Sequence, residues 1–235
     1  MQNLKDKVAL ITGATKGIGY GVAEALLKLG VKVVITSRSQ ESADEAAKKL
    51  GENAFGIAAD VKDFQSQQNA IAKTVEKFGG LDFLIANAGV GHFANIEDLT
   101  IEEWKETIDT NLTGVFYSVK AALAELKKTK GYIITISSLA GTNFFENGSA
   151  YNASKFGVTG FTQAMMLDLR KHNVKVSTIM PGSVATHFAE HTPDKEKDAW
   201  KIQPEDIGEL VVDLLNMHPR TLPSKIEVRP TKTSN

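Results

Sequence analysis

The sequence predicts an α/β fold in which one parallel sheet of about seven strands is covered by helices on both faces, a doubly wound arrangement. Two observations predict it. Seven short runs rich in β-branched and apolar residues recur along the chain, and stretches with helical spacing of apolar residues separate most of them. This alternation favours parallel strands joined by crossover helices. No linker or repeat interrupts the 235 residues, so we expect a single domain over 1–235.

The predicted elements follow one another in a regular order. Most strand runs are almost continuously apolar, as buried parallel strands are, and several helices end at Gly or Asn. The strands are predicted at 8–12, 31–36, 53–59, 81–86, 132–137, 174–180 and 224–228, and the helices at 17–30, 40–51, 63–80, 101–131, 150–173 and 204–218. Ligands of such sheets bind beyond the carboxyl ends of the strands, so we expect the functional residues there.

Composition argues against several classes of function. The 27 basic and 28 acidic residues give a net charge of −1 without a basic cluster, so we expect no nucleic-acid partner. The absence of cysteine excludes disulfides, thiolate chemistry and cysteine-bound metal. The chain enters its first strand without a leader pattern and contains no stretch of membrane-spanning length. We therefore expect a soluble, cytoplasmic protein without a membrane partner.

The turn after the first strand, TGATKGIG (12–19), carries a cofactor-binding pattern. Gly13, Gly17 and Gly19 would let the backbone turn sharply and approach a pyrophosphate, which the amino end of the next helix would bind. A tight turn needs glycines even without a ligand, and the spacing differs from G-x-G-x-x-G. Its place in the first strand–helix unit favours a Rossmann-type dinucleotide site that includes Thr15, Lys16 and Ile18.

The end of the second strand indicates which nicotinamide cofactor is bound. Sites for NAD often have a carboxylate there to bind the ribose 2′-hydroxyl, whereas this strand ends in Ser37-Arg38. The Ser37 hydroxyl and the Arg38 guanidinium could bind a 2′-phosphate, and Lys16 would add a second positive charge. We therefore expect NADPH/NADP⁺ in preference to NADH. Arg38 and Lys16 could alternatively be ordinary surface charges.

The stretch SAYNASKFG (149–157) places Tyr151 and Lys155 one helical turn apart. Ser138, at the end of the fifth strand run, could face Tyr151 across a cleft beside a nicotinamide. Because an unperturbed tyrosine pKa of about 10 is too high for efficient proton exchange near neutrality, a neighbouring ammonium should lower it. The pattern predicts Tyr151 as general acid or base.

Taken together, these motifs resemble the short-chain dehydrogenase/reductase family, in its compact single-domain branch. The resemblance covers roughly residues 5–216 and is carried by TGATKGIG, Asp60-Val61, ANAG (86–89), Asn111, Ser138, YNASK (151–155) and PGSVAT (181–186). It implies that the protein reversibly reduces a ketone or aldehyde to an alcohol by hydride transfer. Tyr151 would be the general acid/base, Ser138 would bind the substrate oxygen, and Asn111 would anchor a proton-relaying water.

The resemblance also implies the cofactor-binding residues. Lys155 would hold the nicotinamide ribose and lower the pKa of Tyr151. Asp60 and Val61 would contact the adenine, while Asn87, with Gly89, would lie near the cofactor. The nicotinamide end would be closed by Pro181, Gly182, Val184 and Thr186.

The substrate itself is less constrained by the sequence. A short substrate loop is expected at about 187–203. Candidate pocket residues are largely aromatic and favour an apolar or aromatic ketone; each could instead be ordinary core. They are His92, Phe93, Leu139, Phe145, His187 and Phe188, with Gly91 and Phe144 beside them.

Three other functions are weighed. The first is a 3-oxoacyl-[acyl-carrier-protein] reductase, which the catalytic part resembles, although the chain ends in SKIEVRPTKTSN instead of an apolar strand and a glycine pair. The second is a non-catalytic NADP-binding regulator. The third is a zinc hydrolase, because HFAEH (187–191) matches H-x-x-E-H; a chance match is favoured, and no metal site is expected.

The resemblance also predicts a homodimer or homotetramer. In the family, two long helices, here about 102–128 and 151–172, pair with their copies in a neighbouring subunit. Six apolar residues on these helices could form that contact or belong to the core: Val115, Phe116, Val119, Phe161, Met165 and Met166.

Overall fold

The computed structural model describes residues 3–233 and confirms the predicted fold. The seven strands are β1 Val8–Ile11, β2 Lys32–Ser37, β3 Ala54–Ala58, β4 Phe83–Ala86, β5 Tyr132–Ile136, β6 Lys175–Pro181 and β7 Lys225–Val228. They form one parallel sheet in the order β3-β2-β1-β4-β5-β6-β7. The order reverses between β1 and β4, where a crevice is expected at the carboxyl ends.

Helices cover both faces of this sheet. They are α1 Gly17–Leu27, α2 Gln40–Leu50, α3 Phe64–Phe78, α4 Ile101–Ile108, α5 Gly114–Thr129, α6 Ser149–Leu169 and α7 Pro204–Asn216. One buried apolar cluster lies on the face of α1 and α7, and a second lies on the face of α3, α5 and α6. Strands β1, β4 and β5, at the centre of the sheet, are fully buried, whereas β7, at its edge, is half exposed.

The helix boundaries follow from local capping. The Asp63 side chain accepts from the amide of Gln65 at the start of α3, and Thr100 and Glu103 form a reciprocal capping box at the start of α4. The α3 helix stops at Gly79, which has a left-handed backbone. The sequence therefore encodes these ends locally.

The predicted helix 101–131 contains an irregularity that the sequence did not indicate. Residues Asp109–Thr113 form a π-helical turn between α4 and α5, and the Gly114 amide donates to the Asp109 carbonyl five residues earlier. Such turns add one residue to a helix and are frequent at functional sites. Asn111 lies inside this turn and is fully buried.

Four of the six residues weighed for subunit contact belong to the core instead. Val115, Val119, Met165 and Met166 are all buried in apolar clusters. Phe116, by contrast, is 44% exposed. In residues 3–233, none of the helices combines the length and apolar character needed to cross a bilayer.

Candidate active site

The end of β5 and the start of α6 bring Ser138 and Tyr151 together. Ser138 begins a short 3₁₀ turn, and its hydroxyl accepts from the Ala140 amide at 3.1 Å. The hydroxyl also donates to the Pro181 carbonyl at 3.4 Å, and it lies near enough to the Tyr151 hydroxyl to lower the pKa of that phenol. The two hydroxyl groups therefore lie at the same edge of the sheet.

The protonation of Tyr151 differs from the prediction. Burial raises the pKa of Tyr151 to about 12, and the hydrogen bond from Ser138 opposes this only in part. The expectation that Lys155 lowers this pKa is wrong for the protein alone, because loss of water around the phenol outweighs the distant ammonium. The Nζ atom of Lys155 lies 5.6 Å from the Tyr151 ring centroid. Tyr151 is thus a protonated phenol at neutral pH.

Lys155 is fixed behind the tyrosine. Its Nζ donates to the Ile136 carbonyl at 3.0 Å, and the residue is only 5% exposed. Burial lowers the pKa of Lys155 to about 8. The Lys155 carbonyl accepts from the hydroxyls of Ser137 at 3.1 Å and Thr159 at 2.9 Å, which hold this part of α6 against the end of β5.

Asn111 links the loop after β4 to α6. Its Oδ1 accepts from the Val90 amide at 2.8 Å, and its Nδ2 donates to the Val90 carbonyl at 2.8 Å and to Ser154 Oγ at 3.1 Å. The Ser154 hydroxyl in turn donates to the Tyr151 carbonyl at 2.8 Å. Asn111 therefore ties the loop after β4 to the first turns of α6.

The glycine turn forms a cradle that fits a pyrophosphate. Gly13 and Gly17 have positive φ angles of 62°, and a Cβ on Gly13 would lie 2.9 Å from Ala88 Cα. At Gly19, a Cβ would lie 2.5 Å from Asn87 Nδ2. No side chain caps the amino end of α1, so its first amides can bind anionic oxygens.

The two ends of the cradle are defined by neighbouring loops. Arg38 and Lys16 are exposed and have no hydrogen-bond or ion-pair partner within residues 3–233. Asp60 accepts from the Lys62 amide at 2.9 Å, and Val61 is buried against Gly114. At the other end, the Thr186 Cγ2 would be 3.3 Å from a Cβ on Gly17. The loop after β6 therefore lies against the glycine turn.

The remaining predicted residues of that loop are held by backbone bonds. Pro181 ends β6, and the Gly182 amide donates to the Val228 carbonyl at 2.8 Å. Val184 pairs with Ile202, which joins the two ends of the predicted substrate loop. Thr15 and Ile18 lie in or directly after the glycine turn, and Gly89 lies next to Asn111.

Comparison with known proteins identifies the family. The short chain dehydrogenase family model matches residues 7–197. The chain belongs to the short-chain dehydrogenase/reductase family. It is 39% identical over 190 residues to trans-4-hydroxycyclohexanecarboxylate dehydrogenase of Sinomonas cyclohexanicum, covering 77% of this chain and 73% of the relative.

Two solved structures of the family are similar over nearly their whole length. The alcohol dehydrogenase of Thermococcus sibiricus, complexed with 5-hydroxy-NADP, superposes with a TM-score of 0.90, at 31% identity and with 96% of this chain and 97% of that chain covered. The 3-ketoacyl-(acyl-carrier-protein) reductase of Brucella melitensis, complexed with NADH, gives a TM-score of 0.89 at 28% identity, with 97% and 98% covered. A nicotinamide cofactor is therefore expected in this short-chain dehydrogenase.

The predicted pocket residues of this short-chain dehydrogenase divide into two groups. The rings of Phe93, Phe188 and Phe145 surround Tyr151, with centroid distances of 5.3, 5.5 and 6.4 Å. Leu139, His92 and His187 do not join this cluster. Leu139 packs near Gly182, His92 Nε2 lies 3.1 Å from Glu106 Oε2, and His187 is exposed.

The HFAEH segment is not the α-helix that its zinc motif requires. It contains a 3₁₀ turn in which Ala189 has a left-handed backbone, with a φ angle of 51°. His191 Nε2 lies 2.6 Å from Asp198 Oδ2, while the Glu190 side chain is outside the described part. Among residues 3–233, no three His, Cys, Asp or Glu side chains are grouped to share a metal ion.

Two structurally important residues in this short-chain dehydrogenase were missed by the sequence reasoning. Thr12 Oγ1 accepts from the amides of Asn87 and Ala88, each at 3.0 Å, and so joins the ends of β1 and β4. Asn152 Nδ2 donates to the carbonyls of Ala140 and Asn143, both at 2.7 Å. A polar residue ending a buried strand could have indicated Thr12; Asn152 offered no comparable signal.

Proposed function

We propose that this protein reduces a ketone or aldehyde to an alcohol with NADPH and catalyses the reverse reaction with NADP⁺. The observation that supports this is the paired hydroxyls of Ser138 and Tyr151 at the end of β5, with the buried Lys155 behind them. The glycine cradle lies at the end of β1, on the other side of β4 in the sheet, and fits a dinucleotide. When bound, the reduced nicotinamide supplies the hydride.

The residues of this chain would supply positioning and the proton. Ser138 donates a hydrogen bond to the carbonyl oxygen, and Tyr151 transfers its phenolic proton to that oxygen. A tyrosine with a pKa of about 12 holds this proton at neutral pH until the oxygen gains negative charge. The Lys155 ammonium binds the cofactor ribose. Proton transfer from a positioned group typically contributes about 10²- to 10⁴-fold in rate.

Two exposed cations support the preference for NADPH. Arg38 follows Ser37, the last residue of β2, and Lys16 lies in the glycine turn. Neither forms an ion pair within residues 3–233, so both charges are available to a 2′-phosphate. The similar structures contain 5-hydroxy-NADP and NADH, respectively, and therefore leave this preference as a proposal.

The alternative functions fit less well. A 3-oxoacyl-[acyl-carrier-protein] reductase must accept an anionic phosphopantetheine, whereas the exposed Glu97, Asp98 and Glu146 lie on the segments that carry the residues of a groove near the site, which include Ile96 and Phe145. A non-catalytic regulator has no physical need for the hydroxyls of Ser138 and Tyr151 beside each other. A cytoplasmic location stays a prediction from the sequence.

The test of this function is cofactor oxidation with a carbonyl panel, comparing wild type with Tyr151→Phe. The variant keeps the ring but removes the transferable proton, so kcat should fall at least about 100-fold while NADPH binding is unchanged. Tyr117→Phe, a surface tyrosine between Phe64 and Phe116, is the matched control and should keep wild-type turnover. Full turnover by Tyr151→Phe would remove the assignment.

We also propose that the protein forms a homo-oligomer through α5 and α6. Phe116 on α5 packs against Phe161 on α6 yet is 44% exposed, and Leu167 further along α6 is also exposed. A second copy could cover this apolar face. Light scattering of wild type and Phe116→Glu tests it: the variant should have a lower mass, and a monomeric wild type would contradict the proposal.

A further inference from the structure

A groove of about 440 Å³ shares Phe145 with the aromatic rings around Tyr151. Residues 94–96 line one side, and Phe144, Phe145, 147–149 and Asn152 line the other. The groove borders the candidate active site, because Phe145 lines the groove and its ring lies 6.4 Å from the Tyr151 ring and 5.7 Å from the Phe93 ring. A substrate whose carbonyl reaches Tyr151 can therefore extend its other end into this groove.

The walls of the groove are apolar and accessible. Ile96 is 71% exposed, Phe144 is 81% exposed, and Phe145 is nearly half exposed. Phe144 stacks on Phe156 with an interplanar angle of 1°, which fixes one wall. Exposed apolar side chains grouped around a cleft are typical of a ligand-binding site, and aromatic walls favour a flat aromatic group.

The charge around the groove disfavours anions. None of the lining residues is ionisable, and the segments 94–98 and 143–149 carry Glu97, Asp98 and Glu146 without a lysine or arginine. An anionic group in the groove would lie near three carboxylates without a neutralising partner on these segments. The occupant should therefore be uncharged.

One polar atom in the wall has no partner. Asn152 is only 8% exposed, and its Nδ2 donates to two backbone carbonyls. These acceptors fix the orientation of the amide, because only the nitrogen can donate. The Oδ1 atom accepts no hydrogen bond from residues 3–233. Because Oδ1 is not among the buried atoms without a partner, it faces the open groove and is available to a ligand that carries a donor.

We infer that the groove binds the non-reacting end of the substrate, an uncharged aromatic group bearing a hydroxyl or N–H that donates to Asn152 Oδ1. The inference rests on the proposed carbonyl reductase function and specifies its substrate class. Ile96 and Phe145 are the apolar specificity-determining residues, and Glu146 acts against anionic substrates.

The inference is tested with 4-arylbutan-2-ones that carry a para-hydroxyl, para-methoxy or para-carboxylate group, and with butan-2-one as the ligand without an aromatic ring. NADPH oxidation by the full chain gives kcat/KM for each. The hydroxyl compound should be used at least about tenfold better than the carboxylate and several-fold better than the methoxy compound, which lacks a donor.

Two variants test the residues of the groove. Ile96→Trp, at a largely exposed position, should fill the groove and lower kcat/KM for the hydroxyl compound by about tenfold or more, with butan-2-one unaffected. Ile101→Trp is the matched control, because Ile101 is 66% exposed and lies outside the groove. Glu146→Lys should improve use of the carboxylate compound several-fold.

The outcomes separate the two proposals. The groove assignment is overturned if kcat/KM is the same for the three aryl compounds. It is also overturned if Ile96→Trp lowers kcat/KM for butan-2-one as much as for the hydroxyl compound. In both cases turnover still supports the reductase. Calorimetric binding of the hydroxyl compound to the NADP⁺-loaded protein gives a readout without turnover. Binding that Ile96→Trp abolishes, with no reduction of any carbonyl, would support the groove and refute the reductase.

Discussion

Replacing Thr12 by Val should destabilise the protein without changing its shape. The buried Thr12 hydroxyl is the acceptor for two backbone amides, those of Asn87 and Ala88, at 3.0 Å each. Val preserves the volume but leaves both donors without this partner. A buried donor without a partner costs about 1 to 3 kcal/mol. Two donors lose their partner, and their partial burial keeps each cost below the top of this range. We therefore expect a total loss of about 2 to 4 kcal/mol in the free energy of unfolding.

The assay is urea unfolding of wild type, Thr12→Val and the control Thr12→Ser. The serine variant keeps the hydroxyl and loses one methyl group, so its cost should stay near about 1 kcal/mol. The midpoint should fall for Thr12→Val with an unchanged m-value. A Thr12→Val protein within about 1 kcal/mol of wild type, or a serine variant as unstable as the valine variant, would refute the reasoning, since the hydroxyl would then not be the cause.

Three further predictions concern the cofactor, the pH dependence and the substrate loop. Arg38→Ala should raise the KM for NADPH by about 10- to 100-fold with the KM for NADH unchanged, and equal effects on both would contradict it. Carbonyl reduction should be constant below pH 7 and fall as pH rises through about 8, where Lys155 loses its charge. Lys175→Arg, a substitution of another partly buried lysine outside the site, should leave this fall in place. A rate that stays constant up to pH 10 would contradict the prediction, because the charge of Lys155 would then not limit the reaction. Asp198→Asn should raise the KM for the carbonyl substrate by about fivefold. The reason is that Asp198 binds His191 and Lys201 and so fixes the loop that carries Phe188. An unchanged KM would show that this loop does not shape the site.

The same loop contact predicts a dependence of stability on acid. Hydrogen bonds from Lys201, the Asp194 amide and His191 hold the pKa of Asp198 well below its ordinary value. A carboxyl with a depressed folded-state pKa stabilises the fold above its unfolded value of about 4. This contribution is therefore complete at neutral pH and is lost as pH falls below about 4. Asp198→Asn should show a shallower loss of stability over that range in thermal unfolding.

The sequence predicted the sheet well because its signal is local. Buried strands such as β1 and β5 are short apolar runs, and all seven predicted runs correspond to strands with ends shifted by one or two residues. The hydroxyls of Ser138 and Tyr151 could be placed together because strand ends of a parallel sheet share one edge. In the structure Ser138 is near enough to Tyr151 to affect its pKa.

Other features depend on contacts that a sequence pattern does not encode. The raised pKa of Tyr151 reflects the water excluded around it by distant parts of the chain, including Phe93 and Phe188. The sequence does not show whether Val119 and Met165 belong to the core or to a subunit contact, because both roles require an apolar residue on a helix. In the structure both are buried. Asn152 looks like an ordinary helix residue until its two carbonyl partners are known.

The π-helical turn at Asp109–Thr113 makes the protein sensitive to the length of this segment. The bond from the Gly114 amide to the Asp109 carbonyl accommodates one residue more than an α-helix would. Deleting one residue there would allow a regular helix, but it would rotate α5 relative to α4 by about 100°. The Asn111 amide could then no longer bind both polar atoms of Val90. A chain shortened by this one residue would therefore lose the tie between the loop after β4 and α6.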